Sequence, residues 1–243
     1  MEKEKRVVMN DIGKLEEIIG YSFKDKKILE QALTHSSYAN DYLRNSALGN
    51  ERLEFLGDAI IDMVIGAELF KRFPDKQEGF LSKLRSEMVC EDALANAAIQ
   101  FGINEYLKLG RGEEQKGGRQ RHSLISDMME AIVAAVFVDG GIDKSTEVVY
   151  RLLGDTIEKG CRGELPKDYK SDLQEYFQSK GKKIPSYKIL DESGPDHNKV
   201  FKVGVYEDNV LIGEGQGKSK KEAEGNAAKA ALMHTEEKCI SKD

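Results

Sequence analysis

The chain has 243 residues, 40% of them hydrophobic and 33% charged, with 37 Lys+Arg against 43 Asp+Glu for a formal charge of −6. That length is enough for one large domain or two modest ones, each able to bury a core without staples. No run approaches the ~20 apolar residues of a membrane helix, and the first ten residues (MEKEKRVVMN) lack the apolar centre of a secretory signal. The three cysteines, Cys90, Cys161 and Cys239, are odd in number and widely spaced. They suit neither a disulfide framework nor a C-x-x-C metal pair, which points to a reducing cytoplasm and no membrane partner. The acidic balance, taken alone, weighs against a nucleic-acid partner, since phosphate binders usually carry a basic excess.

From Asp11 to Cys161 the apolar spacing is helical. Leu15, Ile18 and Ile19 form one face, and Ile28, Leu29 and Ala32 another. A long helix is predicted from Asn50 to Arg72, with Leu53, Leu56, Ile60, Met63, Val64 and Ala67 at three- and four-residue steps. Phe73-Pro74 stops it, because proline cannot continue a helix. Further helices are expected over 80–88, 91–101, 123–138 and 144–159, punctuated by Gly102, Gly110, Gly112, Gly117-Gly118 and Gly140-Gly141. No segment here alternates with period two, so residues 11–161 read as an all-α domain.

The periodicity breaks over 162–167, a short linker. Residues 168–237 then read as a small α+β domain of order α-β-β-β-α. A helix over 169–180 precedes alternating Tyr187/Ile189 and Phe201/Val203/Val205, a hairpin turn at Glu207-Asp208-Asn209, and strand 210–216. An Ala-rich helix begins near Ser219, with Ser219 and Glu222 in capping-box spacing. Gly225 interrupts that helix at some cost in stability.

The chemistry concentrates in acids. Glu51, Glu54 and Asp58 stand at i, i+3 and i+7 on the long helix, so they share a side of it. Asp127 and Glu130 stand at i, i+3 on a second, mostly apolar helix. Carboxylates in apolar helices lie near a packed interior, where an unpaired charge is costly. Two such helices face to face would gather an oxygen-rich cage suited to a hard cation, Mg²⁺ or Mn²⁺. Either pair alone is more often a solvated surface; together they favour metal. Glu78 precedes another helix, where N-terminal charge stabilisation is the default. Asp62 reads as solvated or peripheral, Arg52 as a possible ion-pair partner, His35 as structural, and His122 as helix-flanking or backbone-contacting. No nucleophile set or phosphate-binding glycine loop is present, which leaves metal-assisted phosphodiester hydrolysis.

In the small domain, eleven basic residues balance eleven acidic ones over Asp168–His234, so placement matters more than charge. Lys218, Lys220 and Lys221 surround a helix N-terminus, where backbone N–H groups already favour phosphate. Gly194-Pro195-Asp196-His197 sets a histidine at a loop tip, and Gln174 and Glu175 lie on a polar helix face. Three such patches suit shape recognition of A-form RNA across two minor grooves.

These residues resemble a known family. Asn50-Glu51-Arg52-Leu53-Glu54-Phe55-Leu56-Gly57-Asp58 is similar to the signature helix of the ribonuclease III family, Asp127-Met128-Met129-Glu130-Ala131 to its second acidic motif, and Ala32-Leu33-Thr34-His35-Ser36-Ser37 to its N-terminal pattern. Gly194-Pro195-Asp196-His197, Phe201-Lys202-Val203 and Lys218-Ser219-Lys220-Lys221-Glu222-Ala223-Glu224 resemble the motifs of a double-stranded RNA-binding domain. The resemblance implies a homodimeric, Mg²⁺-dependent endoribonuclease that cuts both strands of duplex RNA, leaving 5′-phosphates and short 3′ overhangs, and processes structured precursor RNAs. It implies Glu54, Asp127 and Glu130 as metal ligands and Asp58 and Glu130 as catalytic. Glu51 and Glu78 would be secondary acids of the valley, and Gln174, Glu175, His197, Lys218, Lys220 and Lys221 RNA contacts. A catalytically silent RNA-binding protein and a helical nucleotide phosphohydrolase are the rivals. The intact acids speak against the first and the RNA-binding module against the second.

Overall fold

A computed structural model describes residues 11–165, 168–195 and 199–240, with side chains described to residue 233. The chain divides into two compact units, Met1–Leu165 and Pro166–Asp243. No helix among the described residues is long and apolar enough to cross a membrane.

The first unit is a helical assembly. Helix α1 (Ile12–Ile19) is capped by Asp11, which accepts from Gly13 N–H at 2.9 Å, and ends at Gly20, whose φ of +78° lies in the left-handed region. Asp25 caps α2 (Lys26–Ala32), and His35 caps the single turn α3 (Ser36–Tyr38), which continues as a π-turn over Ala39–Leu43. The long α4 (Glu51–Arg72) follows, then α5 (Glu78–Val89), α6 (Glu91–Gln100) and the short α7 (Arg111–Gln115). Helices α8 (His122–Gly140) and α9 (Ile142–Cys161) complete the unit.

The core is built around α8. From Leu124 to Val136 nearly every residue of it is buried except Asp127 and Glu130, and α2, α4, α6 and α9 pack around it. A helix apolar on all sides belongs at a centre, and its few acids must then face something specific. Helices α8 and α9 run longer than their sequence patterns because a single residue, Gly141 at φ +83°, makes the corner between them. Among the described residues, the one departure from an all-helical reading is a parallel bridge between Thr34 and Lys108, a single pairing too short to leave any alternation in sequence.

The second unit has α10 (Tyr169–Ser179), β1 (Ser186–Ser193), β2 (Val200–Glu207), β3 (Val210–Gly217) and α11 (Lys220–Ile240). The strands form one antiparallel sheet in the order β1-β2-β3. Asp208 (φ +44°) and Asn209 (φ +70°) make the tight β2–β3 turn, the two-residue form that matches strand twist. Helices α10 and α11 close one face over Leu173, Phe177, Val203, Val205 and the α11 alanines 223, 227, 228 and 231. The contact between α11 and β3 is unusually close: a Cβ added at Gly213, Gly215 or Gly217 would overlap the α11 backbone. The alanines of α11 and the alternate glycines of β3 thus form one surface, alanine stripe on glycine stripe. At the start of α11, Ser219 Oγ accepts from Glu222 N–H (3.1 Å), as a capping box requires. The reciprocal bond goes to Lys218 N–H (2.7 Å) instead of Ser219 N–H.

Candidate metal centre and nucleic-acid interface

Helices α4 and α8 meet at Gly57. A Cβ added there would overlap the backbone carbonyl of Glu130, so only glycine allows the two helix backbones to touch at this point. The contact brings the acids of the two helices together. One carboxylate oxygen from each of Glu54, Asp127 and Glu130 lies within 4.8 Å of the others, and all three residues are half-buried.

The electrostatics are those of an uncompensated cage. Burial pushes the Glu54 carboxyl up from its ordinary range, and the Glu51 and Asp58 charges add to the shift. Burial likewise pushes Asp127 up to about 6, helped by Glu54 and Glu91. Glu130 is pushed up to about 8, first by burial and then by Asp58, Asp127, Glu54 and Asp62. Among the described residues, no cation is one of the groups that act on these three acids. Converging half-buried carboxylates with no base to pair them fit a hard divalent cation, and Glu54, Asp127 and Glu130 are the residues that would hold it.

The other predicted acids occupy distinct places. Asp58 is exposed and outside the three-way cluster, yet it is the foremost charge acting on Glu130. Glu51 is exposed at the first turn of α4 and acts on both Glu54 and His35. Asp62 faces Arg85 at 3.6 Å. Glu78 opens α5 and accepts from Ser82 Oγ at 2.6 Å; it is not among the charges that act on the cluster. Glu91, at the start of α6, is an acid beside Asp127 that sequence spacing did not single out, because only the fold brings α6 to α8. His122 does begin α8, but it contacts a side chain and not the backbone: Nδ1 lies 2.6 Å from Asp92 Oδ1.

In the second unit Gln174 and Glu175 are exposed on α10, on the side away from buried Leu173 and Phe177. Lys218, Lys220 and Lys221 are exposed around the N-terminus of α11, with Lys220 Nζ 5.7 Å above the Phe201 ring. Lys170 on α10 pairs with Glu224 on α11 at 2.7 Å, which ties the two helices together. His197 lies outside the described residues.

Comparison with known proteins agrees with both units. The ribonuclease-III-like family matches residues 25–156, and the double-stranded RNA binding motif matches 169–234. Ribonuclease 3 of Symbiobacterium thermophilum is 47% identical over 217 residues, covering 89% of this chain and 91% of that protein. Ribonuclease 3 of Listeria monocytogenes serotype 4a is 41% identical over 224 residues, covering 92% and 97%. Among solved structures, the nuclease domain of ribonuclease III from Campylobacter jejuni superposes with a TM-score of 0.55 at 39% identity, covering 60% of this chain and 96% of that one. With matching family signatures across both units and relatives this similar over nine-tenths of its length, the chain belongs to the ribonuclease III family.

Proposed function

We propose that the chain is a Mg²⁺-dependent endoribonuclease that hydrolyses both strands of double-stranded RNA, leaves 5′-phosphates and short 3′ overhangs, and matures structured precursor RNAs. The observation that carries this reading is the uncompensated trio Glu54, Asp127 and Glu130 in a chain that also holds a double-stranded RNA-binding fold. Mg²⁺ held there would supply Lewis acidity to the phosphate and a lowered pKa to water, and Mn²⁺, with similar oxygen preference, would substitute. The chain's own contribution is placement. Gly57 sets the α4–α8 distance, and the buried rows on both helices anchor the backbones that carry the three carboxylates. Asp58 and Glu51 keep the surroundings negative, which strengthens the demand for a cation. On the second unit, α10 and the N-terminus of α11 present the polar and lysine groups that meet the RNA backbone.

The nuclease unit acts as a homodimer in this reading. Helix α4 carries an apolar stripe of Phe55, Ala59, Met63, Ala67 and Phe70, all exposed, with Phe55 at 82% and Phe70 at 72%. These residues recur every three or four positions, so they form one continuous face along α4, and a second copy of the same face would cover it. One nuclease-domain structure from Campylobacter jejuni, TM-score 0.56 at 39% identity, concerns flexibility in a region involved in its dimer formation.

Incubating the protein with a long RNA duplex in Mg²⁺, and in parallel with EDTA, tests the function. Cleavage of both strands in Mg²⁺ and none in EDTA is expected. Cutting that survives EDTA, or no cutting in Mg²⁺, refutes it; duplex binding without cutting would leave the silent RNA-binding rival.

A further inference from the structure

The start of α4 is tied to two distant segments. Asn50 N–H donates to the Thr34 carbonyl (2.8 Å), Lys108 N–H to the Leu33 carbonyl (2.8 Å), and His35 N–H to the Lys108 carbonyl (3.1 Å). His35 is thereby locked beside the residue that precedes Glu51. Its ring is locked too. Ser37 N–H donates to His35 Nδ1 at 3.2 Å. Gly110 N–H donates to Ser37 Oγ at 2.9 Å, which leaves the Ser37 hydroxyl proton for Nδ1, 2.8 Å away. A backbone N–H can only donate, so Nδ1 is an acceptor and the imidazole is neutral, with its proton on Nε2. Burial, which lowers the ring's pKa, works in the same direction; Glu113 and Glu51 oppose it and Arg121 assists it.

Nε2 is different. Among the described residues it has no hydrogen-bond partner, and it is not one of the buried unpaired polar atoms. The ring is half-buried, so this N–H opens to solvent. The bond from Asn50 N–H to the Thr34 carbonyl sets His35 next to the first turn of α4, the turn that carries Glu51 and leads to Glu54, and Glu51 is among the charges that act on the ring.

We propose that His35 Nε2–H donates a hydrogen bond to a backbone oxygen of duplex RNA, a phosphate oxygen or a ribose 2′-hydroxyl, beside the phosphodiester presented to Glu54, Asp127 and Glu130. The proposal rests on the nuclease reading above. A neutral donor suits this position. A lysine here would be drawn into ion pairs with Glu51 and Glu113, and the nearby Arg121 is already held by Glu113 at 2.8 Å. A fixed imidazole needs no counter-ion and loses little freedom when the strand arrives.

The test uses the full chain, Mg²⁺ and a short RNA duplex in single-turnover cleavage below saturation. His35→Ala is expected to slow cleavage about tenfold, the size of one lost hydrogen bond to the substrate. His35→Gln, which can donate from near the Nε2 position, is expected to stay within about threefold of the parent. Ser37→Ala, which removes the hydroxyl between Gly110 N–H and Nδ1 but keeps the ring and its bond from the residue-37 N–H, should cost less than His35→Ala. In the non-cutting Glu130→Gln chain labelled with ¹⁵N-histidine, the Nε2 resonance of His35 should shift when duplex is added. Single 2′-deoxy substitutions separate the acceptors. If one of them erases the difference between parent and His35→Ala, the acceptor is that 2′-hydroxyl; if the difference survives them all, it is phosphate. Wild-type rates for His35→Ala, equal losses for the alanine and glutamine variants, or an unmoved resonance would each overturn the proposal while leaving the parent an active nuclease. A parent chain that does not cut duplex RNA removes the function beneath it, and the proposal with it.

Discussion

At Glu130 the cost of burying a carboxylate is visible as a pKa pushed up to about 8, with Asp127 pushed up to about 6 beside it. Between the ordinary carboxylate range and those values the folded, metal-free protein holds more protons than the unfolded chain. Its stability therefore falls as pH rises through that window, and metal binding, which needs ionised ligands, weakens as pH falls through it. Two outcomes follow. Without metal, the melting temperature should decline from about pH 5 to pH 8, and Glu130→Gln should flatten the decline, read by thermal denaturation in EDTA. With Mg²⁺, Glu130→Gln should abolish cleavage while duplex affinity stays within about twofold of the parent, because the second unit is untouched. Wild-type cleavage by that variant would remove Glu130 from the site. The acids themselves were legible in sequence, since i, i+3 and i+7 spacing on strongly periodic helices survives folding unchanged. His35 was only half legible: Nδ1 is satisfied as a structural histidine requires, but the open Nε2 depends on Ser37, Gly110 and Lys108, and no local pattern joins residues seventy positions apart.

Elements in this fold are positioned by glycines of two kinds. Gly57 sits where a Cβ would overlap the Glu130 carbonyl, so Gly57→Ala must push α4 away from α8. Overpacking of this kind costs about 1–3 kcal/mol, and here the same displacement opens the metal cage. Cleavage should fall by more than the lost stability accounts for, and Mg²⁺ should be needed at higher concentration; a metal titration of cleavage decides. Gly225 is the opposite case. A Cβ there meets nothing within 4 Å, and the residue lies inside α11 without any need for a left-handed backbone. Gly225→Ala should stabilise the second unit by up to about 1 kcal/mol, through helix propensity and a less flexible unfolded chain, seen as a raised melting temperature with duplex affinity unchanged. The α-β-β-β-α order could be read from period changes and turn residues. The closeness of α11 to β3 could not, because alternate glycines in a strand usually signal weakness, and only the facing alanines 223, 227 and 231 turn Gly213, Gly215 and Gly217 into a packing surface. The bulge in β1 between Ile189 and Asp191 was equally hidden, since one extra residue shifts register without changing composition.

Across the whole molecule the formal charge of −6 misleads because its parts have different tasks. Residues 1–167 carry −5 and the stretch Asp168–His234 is neutral, so the acidity belongs to the unit that would hold metal. Without a cation that unit repels phosphate, and duplex affinity must come from the second unit, where Lys218, Lys220 and Lys221 are exposed at a helix N-terminus. A chain ending at Gly163 should therefore lose most of its duplex affinity in EDTA, measured by fluorescence anisotropy. The corresponding domain of the Campylobacter jejuni protein has been crystallised by itself, which makes an independently folded unit the expectation. The truncated chain should still sediment as a dimer, since the stripe from Phe55 to Phe70 lies wholly within it, and should still cut duplex weakly in Mg²⁺ at low salt. In the full chain, replacing the three lysines by alanine should flatten the dependence of log affinity on log salt by about one unit per phosphate contact removed. Phe55→Asp should do the reverse: metal-free duplex binding persists through the second unit while sedimentation shows monomers and cleavage is lost. If Phe55→Asp remains dimeric, the α4 face is not the contact. If the truncated chain binds duplex in EDTA as well as the full chain does, the division of labour between an acidic cutting unit and a neutral binding unit fails.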